Sequence, residues 1–127
     1  MKLKNRVLEL FMISTMNSIA QGSIDNKFAN QYLEDTPILN YLDTSIQALV
    51  KNKGWHHQEE VQKVKNIYNF VRDEILFGYN TSDTISASKV LADGYGQCNT
   101  KSTLLMALLR AVNVPNRIHG FTIDKEL

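Results

Sequence analysis

Val90-Leu91-Ala92-Asp93-Gly94-Tyr95-Gly96-Gln97-Cys98, followed by an apolar run from Leu104 to Val112, is the stretch whose reading decides the fold. Gly94 ends one short helical pattern, and the only cysteine of the chain opens the next. A thiol in the first turn of a helix faces the positive end of the macrodipole and unpaired backbone N–H groups, which stabilise negative charge on sulfur. The two glycines supply a backbone free to adopt positive φ and leave the approach to the sulfur open. The alternative is a small buried hydrophobe, a common fate for a lone cysteine. Such a residue belongs in the middle of an apolar run, and Cys98 stands at its polar mouth.

The Cys98 helix is expected to run to Val112. Leu104, Leu105, Leu108, Ala111 and Val112 give it a broad apolar face that Met106 and Leu109 widen, the pattern of a central buried helix. Asn113-Val114-Pro115-Asn116 then turns the chain, because proline restricts the residue before it and cannot continue the helix. Arg117 to Ile123 alternates with period two, interrupted at Gly120 as at a bulge, and is the one segment that reads as a strand.

Upstream, Thr44–Lys53 reads as a helix capped by Asp43 and stopped by Gly54. Between Gln58 and Phe77, the residues Val61, Val64, Tyr68, Val71 and Ile75 fall three and four apart, which predicts an amphipathic helix lying on a core. Gly78 to Asp83 forms a polar loop, and Ser86 or Ser88 caps a short helix that Gly94 ends. An imperfect helical stripe spans Leu3 to Ala20, and Ser23 to Tyr41 reads as irregular surface chain. These elements give an α+β fold class, mostly helical, in one domain with an N-terminal extension over 1–42 and a core over 43–127.

The chain has 127 residues, 43% of them hydrophobic and 21% charged, the usage of one ordinary globular domain. Fourteen basic against thirteen acidic residues leave a net charge of +1, so no electrostatic footprint marks a nucleic acid or a membrane surface as partner. One cysteine permits no internal disulfide and no paired-cysteine zinc site; no metal and no cofactor is expected, and a reducing, cytoplasmic setting is. Lys2, Lys4 and Arg6 before an apolar stretch faintly suggest a signal peptide, but Glu9 breaks the stretch and no cleavage pattern follows.

A cysteine nucleophile needs a base, usually a histidine held by a third group. His56 and His57 stand at the polar start of the amphipathic helix. His119 follows the turn at the far end of the cysteine helix, about 20 Å from Cys98 at the standard rise.

The segment from Val90 to Cys98, the helix ending in Arg110-Ala111, and Val114-Pro115-Asn116-Arg117-Ile118-His119-Gly120-Phe121 together resemble the core of the transglutaminase-like superfamily. Ile67 to Ile75 and Gly78-Tyr79 resemble the helix preceding that core in bacterial members. The resemblance implies a papain-like fold whose cysteine helix packs on an antiparallel sheet. It implies Cys98 as nucleophile of acyl transfer or amide hydrolysis through a thioester, with a protein or peptide substrate. Histidine and aspartate partners are then expected beyond residue 127. Gly94, Gly96, Arg117 and Gly120 become structural, and Gln97, Tyr95 and Asn99 flank the oxyanion and substrate. The alternative is a non-catalytic interaction module on the same scaffold. With its sheet missing, the cysteine helix is expected to leave an apolar face uncovered and to support self-association.

Overall fold

A computed structural model describes residues 30–126. The fold lies in the compact unit that begins at Tyr32. The helix expected over Leu3–Ala20 and the signal-like start lie outside the described residues, as does the first part of the Ser23–Tyr41 segment.

From Thr44 to Ala111, four helices and a two-stranded sheet follow one another as α1 (Thr44–Lys53), a 3-10 turn (Trp55–His57), α2 (Glu60–Asp73), β1 (Leu76–Phe77), α3 (Ala87–Asp93), β2 (Tyr95–Gly96) and α4 (Cys98–Ala111). α1 begins as its sequence predicts, with the Asp43 carboxylate accepting from the Ser45 N–H at 2.9 Å. It ends at Gly54, whose φ of 65° is the left-handed conformation that favours glycine. Ser86 is the cap of α3, accepting from the Lys89 N–H, and Gly94 ends that helix at φ 72°. Ser88 instead bonds Asn40 of the irregular segment in both directions, through Asn40 Nδ2 to Ser88 Oγ at 2.7 Å and Ser88 N–H to Asn40 Oδ1 at 3.1 Å.

α4 is the central helix, packed against α1, α2 and α3. Leu104, Ala107 and Leu108 are fully buried there against Ile46 and Val50 of α1, Ile67 and Val71 of α2, and Ala87 and Val90 of α3. The apolar face expected to be uncovered is therefore covered within the chain, with Leu105 and Leu109 left half-buried at its edges. At the far end Asn113 takes φ 65°, and the Val114 N–H reaches back to Leu109 O at 2.9 Å while the Asn113 N–H reaches Arg110 O at 3.0 Å. This paired closure satisfies the last carbonyls of the helix. Arg110, 8% exposed, secures the same end by donating to Glu34 O at 2.6 Å and Asn116 O at 3.0 Å.

α2 is shorter than expected, and only part of its expected stripe, Val71 with Ile75 just beyond the helix, meets the core. Ile67 and Val71 are buried with Phe70 packed beside them, whereas Val61 is 81% and Tyr68 52% exposed. Ile75 is buried beyond the helix end, and Leu76–Phe77, read as helix from the sequence, forms β1. β1 pairs in parallel with β2, in the register Leu76 to Tyr95 and Phe77 to Gly96, so α3 is the crossover of a small βαβ unit.

Arg117–Ile123 does not form the expected strand. Among the described residues it has no ladder partner, and Ile118, Phe121 and Ile123 are exposed. Alternation alone makes no strand where no edge is offered to its N–H and C=O groups.

Candidate active site

The parallel pairing of β1 and β2 brings the loop after Gly78 beside the first turn of α4, and Asn80 joins them. Its backbone N–H donates to Gln97 Oε1 at 3.0 Å, and its side-chain Nδ2 donates to Asp93 Oδ2 and to Tyr95 O, each at 3.0 Å. Its Oδ1 accepts from the Thr100 hydroxyl at 2.6 Å. One side chain thereby ties the loop to the end of α3, to β2 and to the start of α4.

Gln97 is the N-cap of α4 and lies 8% exposed. Its Nε2 donates to Asp83 Oδ1 at 2.6 Å, and its backbone N–H donates to Thr100 Oγ1 at 3.1 Å, the reach-back expected of the third helical residue. The Gln97 amide is held by Asn80 and Asp83, and with Thr100 it closes a capping box at the start of α4.

Cys98 is exposed, and its Sγ lies 3.7 Å from Asn99 Oδ1. As the first residue of α4 its N–H has no intrahelical partner, and among the described residues no other group accepts from it. A groove of about 290 Å³ runs beside the sulfur, with Tyr68, Val71 and Leu105 as its apolar part and Arg72, Lys101 and Ser102 as its polar part. Lys101 Nζ donates to Arg72 O at 3.2 Å, and the Arg72 guanidinium pairs with Asp73 at 2.7 Å.

Of the other flanking residues, Tyr95 is 40% exposed on β2 and Asn99 is exposed on α4. Gly94 supplies positive φ, and Gly96 supplies space. A Cβ on Gly96 would stand 2.6 Å from Thr100 Oγ1, 3.2 Å from Lys101 Cγ and 3.3 Å from Asn80 Oδ1. Thr100 is fully buried and hydrogen-bonded, so it has no room to retreat. Gly96→Ala is expected to cost about 1–3 kcal/mol by overpacking, seen as a lower urea midpoint at unchanged slope.

Arg117 and Gly120 lie elsewhere, in the exposed chain past α4. The Arg117 guanidinium sits 5.6 Å from the Tyr32 ring centroid, and nothing lies within 4 Å of a Cβ on Gly120, which has no positive φ. The histidines are also distant from the sulfur. His56 borders a groove with Ala111, the last residue of α4, and His119 is exposed beyond that same end. Among the described residues no base meets Cys98, and no group of three His, Cys, Asp or Glu is placed to hold a metal.

Asp93 closes the network, accepting from Lys89 Nζ at 2.7 Å and from Asn80. The Lys89 hydrogen bond first, and the Asn80 hydrogen bond second, hold its carboxyl below the ordinary value of 3.8, against the opposing effect of burial. A lowered native value means stability that is complete above 3.8 and lost as pH falls through the native value. Urea unfolding from about pH 5 to about pH 2 is expected to show a decline that is shallower in Asp93→Asn.

Cys98 thus opens a buried central helix that is reached through a tight glycine turn and backed by a helical layer. Residues 44–126 match the transglutaminase-like superfamily, and the chain belongs to it. Comparison with curated proteins and with solved structures returns no match. No helix among the described residues is long and apolar enough to cross a membrane.

Asn80 and Asp83 were missed by sequence reading. Both sit in a stretch whose Gly, Asn, Ser and Asp content signals only a loop, and their partners lie thirteen to twenty residues away.

Proposed function

We propose that Cys98 is the nucleophile of acyl transfer or of amide and peptide hydrolysis through a thioester. The observation that carries this reading is the exposed thiol at the first position of α4, beside an N–H with no other acceptor, in a chain of this superfamily. Sγ attacks the carbonyl carbon of a protein or peptide substrate, and the carbonyl oxygen gathers the negative charge. The Cys98 N–H donates to that oxyanion. Collapse expels the amine, which takes up a proton, and leaves the acyl group on sulfur. An amine or water then attacks the thioester and returns the thiol. The base and its orienting group come from outside residues 30–126.

The lack of a base near Cys98 among the described residues favours a second reading, a binding module on the same scaffold. An activated acyl ester separates the two, since it acylates a competent nucleophile without help in expelling the leaving group. Intact mass should show one added acyl group, mapped to Cys98 and removed by hydroxylamine. Binding of peptide with no adduct supports the module.

A further inference from the structure

We propose that Asn80 is a positioning residue for the Cys98 centre, acting through Gln97 and the first turn of α4. The inference rests on the nucleophile reading above for its purpose, although its geometry stands independently. Asn80 uses its backbone N–H and both sides of its amide to join three elements: Gln97 and Thr100 of the α4 start, Tyr95 of β2, and Asp93 of α3. Thr100 is fully buried, so its hydroxyl depends on Asn80 Oδ1 as its short acceptor.

The arrangement decides where the Gln97 carbonyl oxygen points. An N-cap side chain normally folds over the free N–H groups of the first turn. Here the Gln97 side chain closes a capping box with Thr100, and it is pinned from outside by the Asn80 N–H at 3.0 Å and by Asp83 at 2.6 Å. A cap takes the second or third N–H of a helix, so the Cys98 N–H, the first, stays available to an incoming oxygen. If the loop moved off α4, the box would lose its anchor and the first turn that carries Cys98 and Asn99 would shift.

Asn80→Asp tests this, because it keeps the backbone N–H and the acceptor for Thr100 but sets a carboxylate against Asp93 where an amide donated. Adding Asp93→Asn reverses the polarity and restores a donor–acceptor pair between the two positions, while the bond to Tyr95 O stays lost. Two readouts are taken on folded protein well below each variant's melting midpoint: the rate of Cys98 alkylation by iodoacetamide, and the amide resonances of Cys98 and Asn99. The single variant is expected to alkylate at least threefold more slowly and to shift or broaden both resonances. The double variant should recover a clear part of the lost rate and move both resonances back toward wild type, and Lys89→Ala, which removes only the exposed ion pair on Asp93, should change neither.

A folded Asn80→Asp protein with wild-type rate and resonances overturns the proposal. So does a loss that the double variant fails to recover, which is the mark of general loosening. A wild-type Cys98 that forms no acyl adduct instead overturns the nucleophile reading, and the Cys98 and Asn99 resonances still decide the role of Asn80.

Discussion

Cys98→Ser is expected to abolish hydroxylamine-sensitive acylation, lowering its rate by about a thousandfold or more, while leaving stability within about 0.5 kcal/mol of wild type. The two halves of this expectation have separate causes. Sulfur is the attacking atom, and a hydroxyl in its place is a far weaker nucleophile at neutral pH, with no base beside it among the described residues. Stability is indifferent because Cys98 is exposed and its one polar side-chain contact, with Asn99 at 3.7 Å, is long. The measurement is intact mass after exposure to the activated ester, paired with urea unfolding of the same sample. A serine variant that acylates at the wild-type rate would move the chemistry to another residue.

Leu108→Ala is expected to have the opposite profile, with a stability loss of about 2–5 kcal/mol. Leu108 is fully buried on the face of α4 around which α1, α2 and α3 pack, so the deleted atoms leave a cavity that three elements must share. Against the roughly 5–15 kcal/mol that holds a domain of ordinary size, such a loss is large. Leu109 is half-buried at the edge of the same helix, and Leu109→Ala should cost clearly less. Equal urea midpoints for the two variants would contradict the assignment of α4 as the central helix.

The legible parts of this fold were those written in local chemistry. Asp43 with Gly54 marked both ends of α1, and Gly94 with Gln97-Cys98 marked the handover from α3 to α4, because caps and left-handed glycines act within a few residues. The stripe of α2 was legible only toward its C-terminal end. Val71 and Ile75 are buried as expected, but Val61 and Tyr68 are exposed and Ile67 joins the core instead, because a period alone does not say how far round the helix the core reaches. β1 and β2 have two residues each, too short for any alternation to register. The strand expected at Arg117–Ile123 shows the converse, a pattern with no partner to complete it.

In the site, the position of Cys98 at the helix mouth followed from sequence, but what organises its surroundings did not. Asn80 works through four hydrogen bonds to residues distant along the chain, and no local signal distinguishes it from any other loop asparagine. Gln97, expected beside the oxyanion, also bonds Asn80 and Asp83 at the turn before Cys98, which no local pattern announces.

The central claim is that folding makes Cys98 a nucleophile, and it is tested most directly by comparing iodoacetamide alkylation of the native chain with that of the chain unfolded in urea, at the same neutral pH. The helix N-terminus and the open groove predict a native rate at least about tenfold above the unfolded one. A native rate equal to or below that of the unfolded chain would contradict the account.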